Sequence, residues 1–272
     1  MRTSAIRTPA ARLAGFGPLA GATLVVTRPS ASAQSLKRRI RALGGNALGL
    51  PGVTLRAVPD RGTLRAQLGA ARNADVVVFV SPAAVRFAFA AHARLRFARA
   101  TLVCAVGAAT ARALGRRGVA RVRWPQQRQD SEGLLALPEL ARLRGKRVVL
   151  VGAPGGRELL AETLRARRAK LTHVHVYTRA APRYTRAQIG ALERAAPPLV
   201  TLLSSAEVLA NLRATLPLDL FARLAAGELV VSSARLAAAA RASLFANVHV
   251  ASSALPADLL DAARLALARH RL

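Results

Sequence analysis

The chain has 272 residues, with 42 Lys and Arg against 13 Asp and Glu, a net charge of +29 and a hydrophobic content of 52%. A disordered basic tail lacks that apolar content and a near-neutral housekeeping domain lacks that charge, so the composition describes a folded cationic protein of one large or two smaller domains. Only Lys37, Lys146 and Lys170 are lysines, so 39 of the basic residues are arginine. This skew reads first as the signature of a GC-biased genome spread over a solvated surface.

Residues 1–22 carry Arg2, Arg7 and Arg12, two prolines and no acid, and read as a flexible extension before the first strand. From Thr23 onward, short β-rich runs at 24–27, 76–80, 101–106, 147–151, 172–177, 199–203, 229–231 and 247–251 alternate with Ala, Leu and Arg-rich stretches of helical spacing. That alternation predicts an α/β fold with mainly parallel sheets. All apolar runs fall far short of the roughly 20 residues that span a bilayer, so no membrane segment is expected. The single cysteine, Cys104, lies in an apolar run and is expected as a buried strand residue in a reducing compartment, which places the protein in the cytoplasm.

The chain resembles itself. Phe79-Val80-Ser81-Pro82 matches Leu202-Leu203-Ser204-Ser205 at an offset of 123, Val25-Val26-Thr27-Arg28 matches Val149-Leu150-Val151-Gly152 at 124, and both Val106-Gly107 with Val231-Ser232 and Leu134-Leu135 with Leu259-Leu260 match at 125. Four segments in one order at nearly one offset indicate a duplicated unit of about 125 residues, hence two similar lobes with a cleft between them for a small ligand. The strand-to-helix junctions carry small, hydroxylic or cationic residues: Arg28 and Ser30, Ser81, Gly107 to Thr110, Gly152 to Arg157, and Ser204 with Ser205. At the carboxyl ends of parallel strands such residues suit an anion, although Ser30, Ser81 and Ser204 are equally the residues that cap helices.

Walker, zinc-protease, Cys-x-x-Cys and dinucleotide fingerprints are all missing, and the Gly-rich 152–156 loop lacks the Lys-Ser/Thr ending of a phosphate loop. His173 and His175 share a strand face, without a third metal ligand nearby, and read as a plain strand pair. The 4% of aromatic residues are scattered, which argues against a single-strand nucleic-acid platform.

Val26-Thr27-Arg28-Pro29, Phe79-Val80-Ser81-Pro82-Ala83-Ala84-Val85, Ala105-Val106-Gly107-Ala108-Ala109-Thr110-Ala111, Trp124-Pro125, Ser131-Glu132-Gly133-Leu134-Leu135, Gly155-Gly156-Arg157-Glu158-Leu159 and Val176-Tyr177-Thr178-Arg179 follow one another in order. With Ser204-Ser205 and Val230-Val231-Ser232, this series resembles the uroporphyrinogen-III synthase family across roughly residues 23–272. The resemblance implies two α/β lobes joined by a two-stranded linker, with residues 1–52 and 182–272 in one lobe, 53–181 in the other, and crossings at 53–58 and 174–180.

It also implies dehydration and closure of hydroxymethylbilane to uroporphyrinogen III with inversion of the last ring, without a cofactor or a metal. The implied site has Tyr177 assisting departure of the hydroxyl, and Arg28, Ser81, Thr110, Arg157, Ser204 and Ser205 holding the substrate. A monomer is expected, with room for transient contact with the enzyme supplying the substrate, and with no membrane or specific nucleic-acid partner. A noncatalytic two-lobed sensor or regulator, and a basic nucleic-acid binder, are the competing readings. Two family glycines are missing, one in Arg167-Arg168-Ala169 and one near Ser243-Leu244-Phe245, where they would close helices. Ser232-Ser233-Ala234-Arg235 also departs from a second-lobe Thr motif, which weakens a hydroxyl contact there.

Overall fold

The structure is a computed structural model that describes residues 17–156 and 158–269. In chain order it runs β1 (Thr23–Val26), α1 (Ser30–Ala42), β2 (Asn46–Gly49), β3 (Thr54–Ala57), α2 (Arg61–Ala71), β4 (Val76–Phe79), α3 (Pro82–Ala91), β5 (Leu102–Ala105), α4 (Ala108–Gly115), β6 (Val122–Arg123) and α5 (Ser131–Leu135). A 3-10 turn at Pro138–Leu140 leads to β7 (Arg147–Gly152), α6 (Glu158–Ala166), β8 (Lys170–His175) and β9 (Tyr177–Ala180). The chain ends with α7 (Arg186–Glu193), β10 (Leu199–Leu203), α8 (Ala206–Thr215), α9 (Leu218–Ala226), β11 (Glu228–Val231), α10 (Ala234–Arg241), β12 (Asn247–Val250) and α11 (Pro256–Ala268).

These elements form two compact units, residues 1–54 with 180–272 and residues 55–179. The discontinuous unit holds the sheet β12-β11-β10-β1-β2 and the continuous unit holds β6-β5-β4-β7-β8. Every recorded pairing within either sheet is parallel. A separate two-stranded sheet, β3-β9, lies where the chain passes from one unit to the other. The duplication is visible strand by strand: β12, β11, β10, β1 and β2 stand in the same spatial order as β6, β5, β4, β7 and β8. In chain order the first sheet reads 2-1-3-4-5 and the second 3-2-1-4-5, two circular permutations of one arrangement.

Alternation decides the cores. In the continuous unit Val77, Phe79, Val103, Ala105, Val149 and Val151 enter one apolar cluster, while Val76, Val78, Cys104, Val106, Val148 and Leu150 enter another, as a period of two requires for a sheet covered on both faces. Cys104 is fully buried there, and burial pushes its thiol up to about 12. In the other unit Leu24, Val26, Val200, Leu202 and Val230 form a core with α1 and α11 residues. Leu19 and Ala22 belong to that same core, so residues 17–22 are part of the fold and not of the flexible extension expected up to residue 22. The strand expected at 172–177 is also cut: β8 ends at His175, and Tyr177 opens β9 in a different sheet.

Four helices end in the same hydrogen-bonded motif, in which a residue just past the helix takes a left-handed conformation. After α1, Gly44 (φ 84°) donates to Arg41 O and Gly45 to Ile40 O; after α4, Gly118 (φ 81°) donates to Gly115 O and Val119 to Leu114 O. The matching positions of the second copy are Arg168 (φ 60°), after α6, and Leu244 (φ 71°), after α10, with the same pair of bonds. The two family glycines missing from the sequence are therefore missing at left-handed positions, and the turn is made regardless by residues that carry a Cβ.

Candidate active site

In an open parallel sheet a ligand settles beyond the carboxyl ends of the strands, where the strand order reverses. In the continuous unit the reversal lies between β4 and β7. Gly152 closes β7, and a Cβ there would stand 2.8 Å from Val80 Cγ2, so this crevice is narrow. Ser81 follows β4 in extended conformation and caps α3, its Oγ accepting the Ala84 N–H at 3.0 Å. The same oxygen lies 3.3 Å from the Tyr177 hydroxyl, either group being able to donate. Tyr177 is 7% exposed and its ring stacks on Phe87 of α3, with centroids 5.2 Å apart. The Arg86 guanidinium carbon lies 4.7 Å from the centroid of the same Phe87 ring, so that ring meets both a cation and the phenol.

Two of the expected residues are thus brought into contact, Ser81 and Tyr177. Thr110 lies in the first turn of α4 beyond β5, buried at 3% exposure, with its N–H bonded to Gly107 O. The N-terminus of α4 is not open: Gln129 Oε1 accepts the Ala108 N–H at 3.1 Å and sits against Gly107, where a Cβ would meet it at 3.0 Å. Arg157 lies outside the described residues.

In the discontinuous unit the reversal falls between β1 and β10, whose ends stand side by side with Val26 opposite Leu202. Thr27 Oγ1 donates to Leu202 O at 2.7 Å and fastens the two strands at this point. Arg28 follows β1; its Nη2 donates to Ala254 O, and burial draws its pKa below the ordinary arginine value. Ser204 and Ser205 follow β10. Ser205 occupies the cap position of α8 without capping it, and neither hydroxyl has a partner among the described residues. The N-terminus of α8 beside Ser204 and Ser205 has no side-chain cap, unlike that of α3, and carries Glu207 in its first turn. Ser81 is a cap in fact; Ser30, the first residue of α1, and Ser204 are not.

The protein's other tyrosine, Tyr184, donates to Pro51 O at 3.3 Å, and burial pushes its pKa up to about 12. It is a fastener, which leaves Tyr177 as the phenol at a strand-end crevice. A cavity of about 670 Å³ lies at the opposite edge of the discontinuous unit, below the starts of β1, β10 and β11. Of its charged lining residues, Arg223 donates from Nη2 to Ala195 O at 2.5 Å while its buried Nε has no hydrogen-bond partner among the described residues, and Glu228 pairs with His249.

Sequence reasoning passed over Arg86, Phe87 and Gln129. Phe87 is six residues after Ser81, and its role appears only when β9 places Tyr177 on that face of α3. Gln129 comes from a loop with no periodic signal. Among the described residues no three or more His, Cys, Asp or Glu side chains gather as a metal site, and no helix is long and apolar enough to cross a membrane.

Residues 34–261 match the family model for uroporphyrinogen-III synthase HemD. The chain belongs to the uroporphyrinogen-III synthase family. It is 34% identical to the uroporphyrinogen-III synthase of Escherichia coli over 235 residues, 85% of this chain and 96% of that protein. It is 37% identical to the Salmonella typhimurium uroporphyrinogen-III synthase over 171 residues, 61% of this chain and 68% of that one. The crystal structure of uroporphyrinogen-III synthetase from Helicobacter pylori has a TM-score of 0.56 at 14% identity, covering 90% of this chain and 98% of that chain, which is a likeness of fold. As a member of this family the chain is a lyase-type enzyme of porphyrin biosynthesis.

Proposed function

We propose that the chain dehydrates hydroxymethylbilane and closes it to uroporphyrinogen III with the last ring inverted. The observation that carries this reading is the 34% identity that runs through 96% of the E. coli synthase. The local chemistry supports it. A linear tetrapyrrole with eight carboxylates needs many weak anion contacts, and it brings its own driving force, since the electron-rich pyrrole expels the hydroxyl with its bonding pair. The protein's task is to hold the terminal rings in the geometry for closure, which is catalysis by positioning.

In this reading the Tyr177 O–H donates to the leaving oxygen, which departs as water. The proton that the ring loses on regaining aromaticity restores the phenol, so the cycle balances. Ser81 Oγ, fixed by the Ala84 N–H, holds the phenol from one side, and the Phe87 ring holds its plane. Ser204 and Ser205, at the start of α8, and the guanidinium of Arg28 receive substrate carboxylates; Thr110 and Arg157 complete the proposed contacts. The proposal places the enzyme in the cytoplasm as a monomer, in transient contact with the enzyme that supplies its unstable substrate.

The test supplies the purified chain with freshly generated hydroxymethylbilane and separates the product isomers. Isomer III is expected. Isomer I alone, the product of spontaneous closure, overturns the reading in favour of a noncatalytic relative.

A further inference from the structure

The duplication provides an internal control on the arginine-rich composition. A genomic bias acts on both copies alike, and both copies have the same backbone, yet the amino-terminal edges of their sheets differ in charge. In the continuous unit this edge carries Arg142, Arg144, Lys146, Arg147, Arg168 and Lys170, all exposed. At an offset of 124 the other unit carries Pro18, Ala20, Ala22, Thr23, Gly44 and Asn46, with no charge among them.

The equivalence is structural as well as numerical. Thr23 pairs with Asn46 as Arg147 pairs with Lys170; Asn46 N bonds Ala22 O as Lys170 N bonds Lys146 O, both at 2.8 Å; and Gly21 (φ 80°) matches Gly145 (φ 73°). The fold therefore does not need cations here. Gly145 N also bonds Arg168 O at 2.9 Å, which joins the two cationic segments into one patch. One carboxylate answers them: Asp75 Oδ1 lies 4.0 Å from Lys146 Nζ, and Asp75 Oδ2 lies 3.7 Å from Arg147 Nε. Arg142, Arg144, Arg168 and Lys170 make no ion pair among the described residues.

We propose that this edge is a docking surface for the phosphodiester backbone of duplex nucleic acid, bound without regard to sequence. A protein partner would call for an apolar or aromatic centre with a charged rim, and lysine is depleted from such centres. Here the six positions are cationic throughout. With no aromatic among them, stacking on single-stranded bases is excluded as the mode, and phosphate contact remains. The edge is opposite the strand-end crevices of its own sheet, so occupancy leaves Ser81 and Tyr177 open.

The test measures binding of a labelled 20-base-pair duplex to the full chain by fluorescence anisotropy between 50 and 200 mM salt. Four free cations give a slope of log affinity against log salt of about −3.6, or roughly a 100-fold loss across that range. Combining Arg142→Gln, Arg144→Ala, Arg168→Gly and Lys170→Asn is expected to weaken binding at 50 mM salt more than about tenfold and to flatten the slope by three to four. A variant of equal charge loss elsewhere, at the exposed Arg38, Arg41, Arg213 and Arg264, each changed to Gln, is expected to change affinity less than about threefold.

Equal losses in both variants would show attraction by total charge alone and overturn the proposal, as would absence of binding by the unmodified chain at 50 mM. Competition by polyglutamate as strong as by unlabelled duplex would assign the surface to an acidic protein and overturn it too. Should the fourfold variant melt early, Arg144→Ala with Lys170→Asn tests the same point, because the other unit folds with those residues in place.

Discussion

Leu244 is 81% exposed, yet it occupies the left-handed position that ends α10. A residue with a Cβ pays about 1–2 kcal/mol for that conformation, whereas glycine avoids the clash but loses about 0.4–1 kcal/mol through the greater freedom of its unfolded chain. The covered fifth of the Leu244 surface contributes about 0.3–0.6 kcal/mol, taken as a share of full burial. Leu244→Gly and Leu244→Ala lose that burial equally, so their difference isolates the backbone. Leu244→Gly is expected to be the more stable of the two by about 0.5–1 kcal/mol, the reverse of the order inside a helix, where glycine is worse by about 1 kcal/mol. In a thermal melt followed by circular dichroism the glycine variant should unfold about 1–4 °C above the alanine variant. An alanine variant equal to or above it would refute the argument that Leu244 is strained. Phe245, buried just beyond, is unchanged in both and keeps the turn anchored.

Tyr177→Phe is expected to lower kcat by about 100-fold with the melting temperature held, the low end for loss of a general acid; unchanged turnover would make Tyr177 a packing residue. Ser81→Ala removes the α3 cap and should cost about 1 kcal/mol in urea unfolding along with part of the turnover, while Ser81→Thr restores both; a loss of stability without loss of rate would confine Ser81 to capping. Thr201 Oγ1 is buried in β10 with no partner among the described residues, so Thr201→Val should raise stability by about 1 kcal/mol, seen as a higher urea midpoint.

His173 has its pKa drawn down by burial and by the charges of Arg165 and His175, and Arg165 Nη2 lies 3.1 Å from its Nε2. The unfolded chain then binds the proton more readily, so stability is full above the ordinary histidine value of about 6.5 and falls as the pH drops through and below it. His173→Gln should flatten the urea midpoint between pH 7.5 and 5, and an unaltered profile would remove His173 as the cause.

Much of this architecture was legible because duplication leaves a trace that propensity alone does not. The offsets of 123–125 paired β4 with β10, β5 with β11 and β1 with β7 before any strand was placed, and those pairs occupy equivalent positions in the two sheets. Strands β2 and β6 were passed over, and β3 was expected only through the family resemblance, as the linker crossing at 53–58. β2 reads Asn-Ala-Leu-Gly and β6 has two residues, and both are sheet-edge strands whose register comes from a neighbour instead of from their own side chains.

Ser81 and Tyr177 were readable as members of a motif series, while Phe87, which holds the phenol, and Gln129, which fills the α4 terminus, depend on contacts between distant segments. The missing glycines at 168 and 244 were readable as departures; that the backbone keeps its turn there was not, since the bonds to Leu164 O and Ala240 O hold it from outside the residue.

The side chain of Thr27 reaches Leu202 across 175 positions of sequence, with the whole continuous unit between them. Closing a chain loop of that length costs more entropy than closing one of about 50 residues, the length that remains once the inserted unit has folded and β3 and β9 have joined its ends. The difference is about 1 kcal/mol. During synthesis β1 and β2 leave the ribosome first and have no central partner until β10 is made, so their apolar edge waits unpaired. The inserted unit, complete by residue 179, is expected to fold first, and the unit built from segments on both sides of it last.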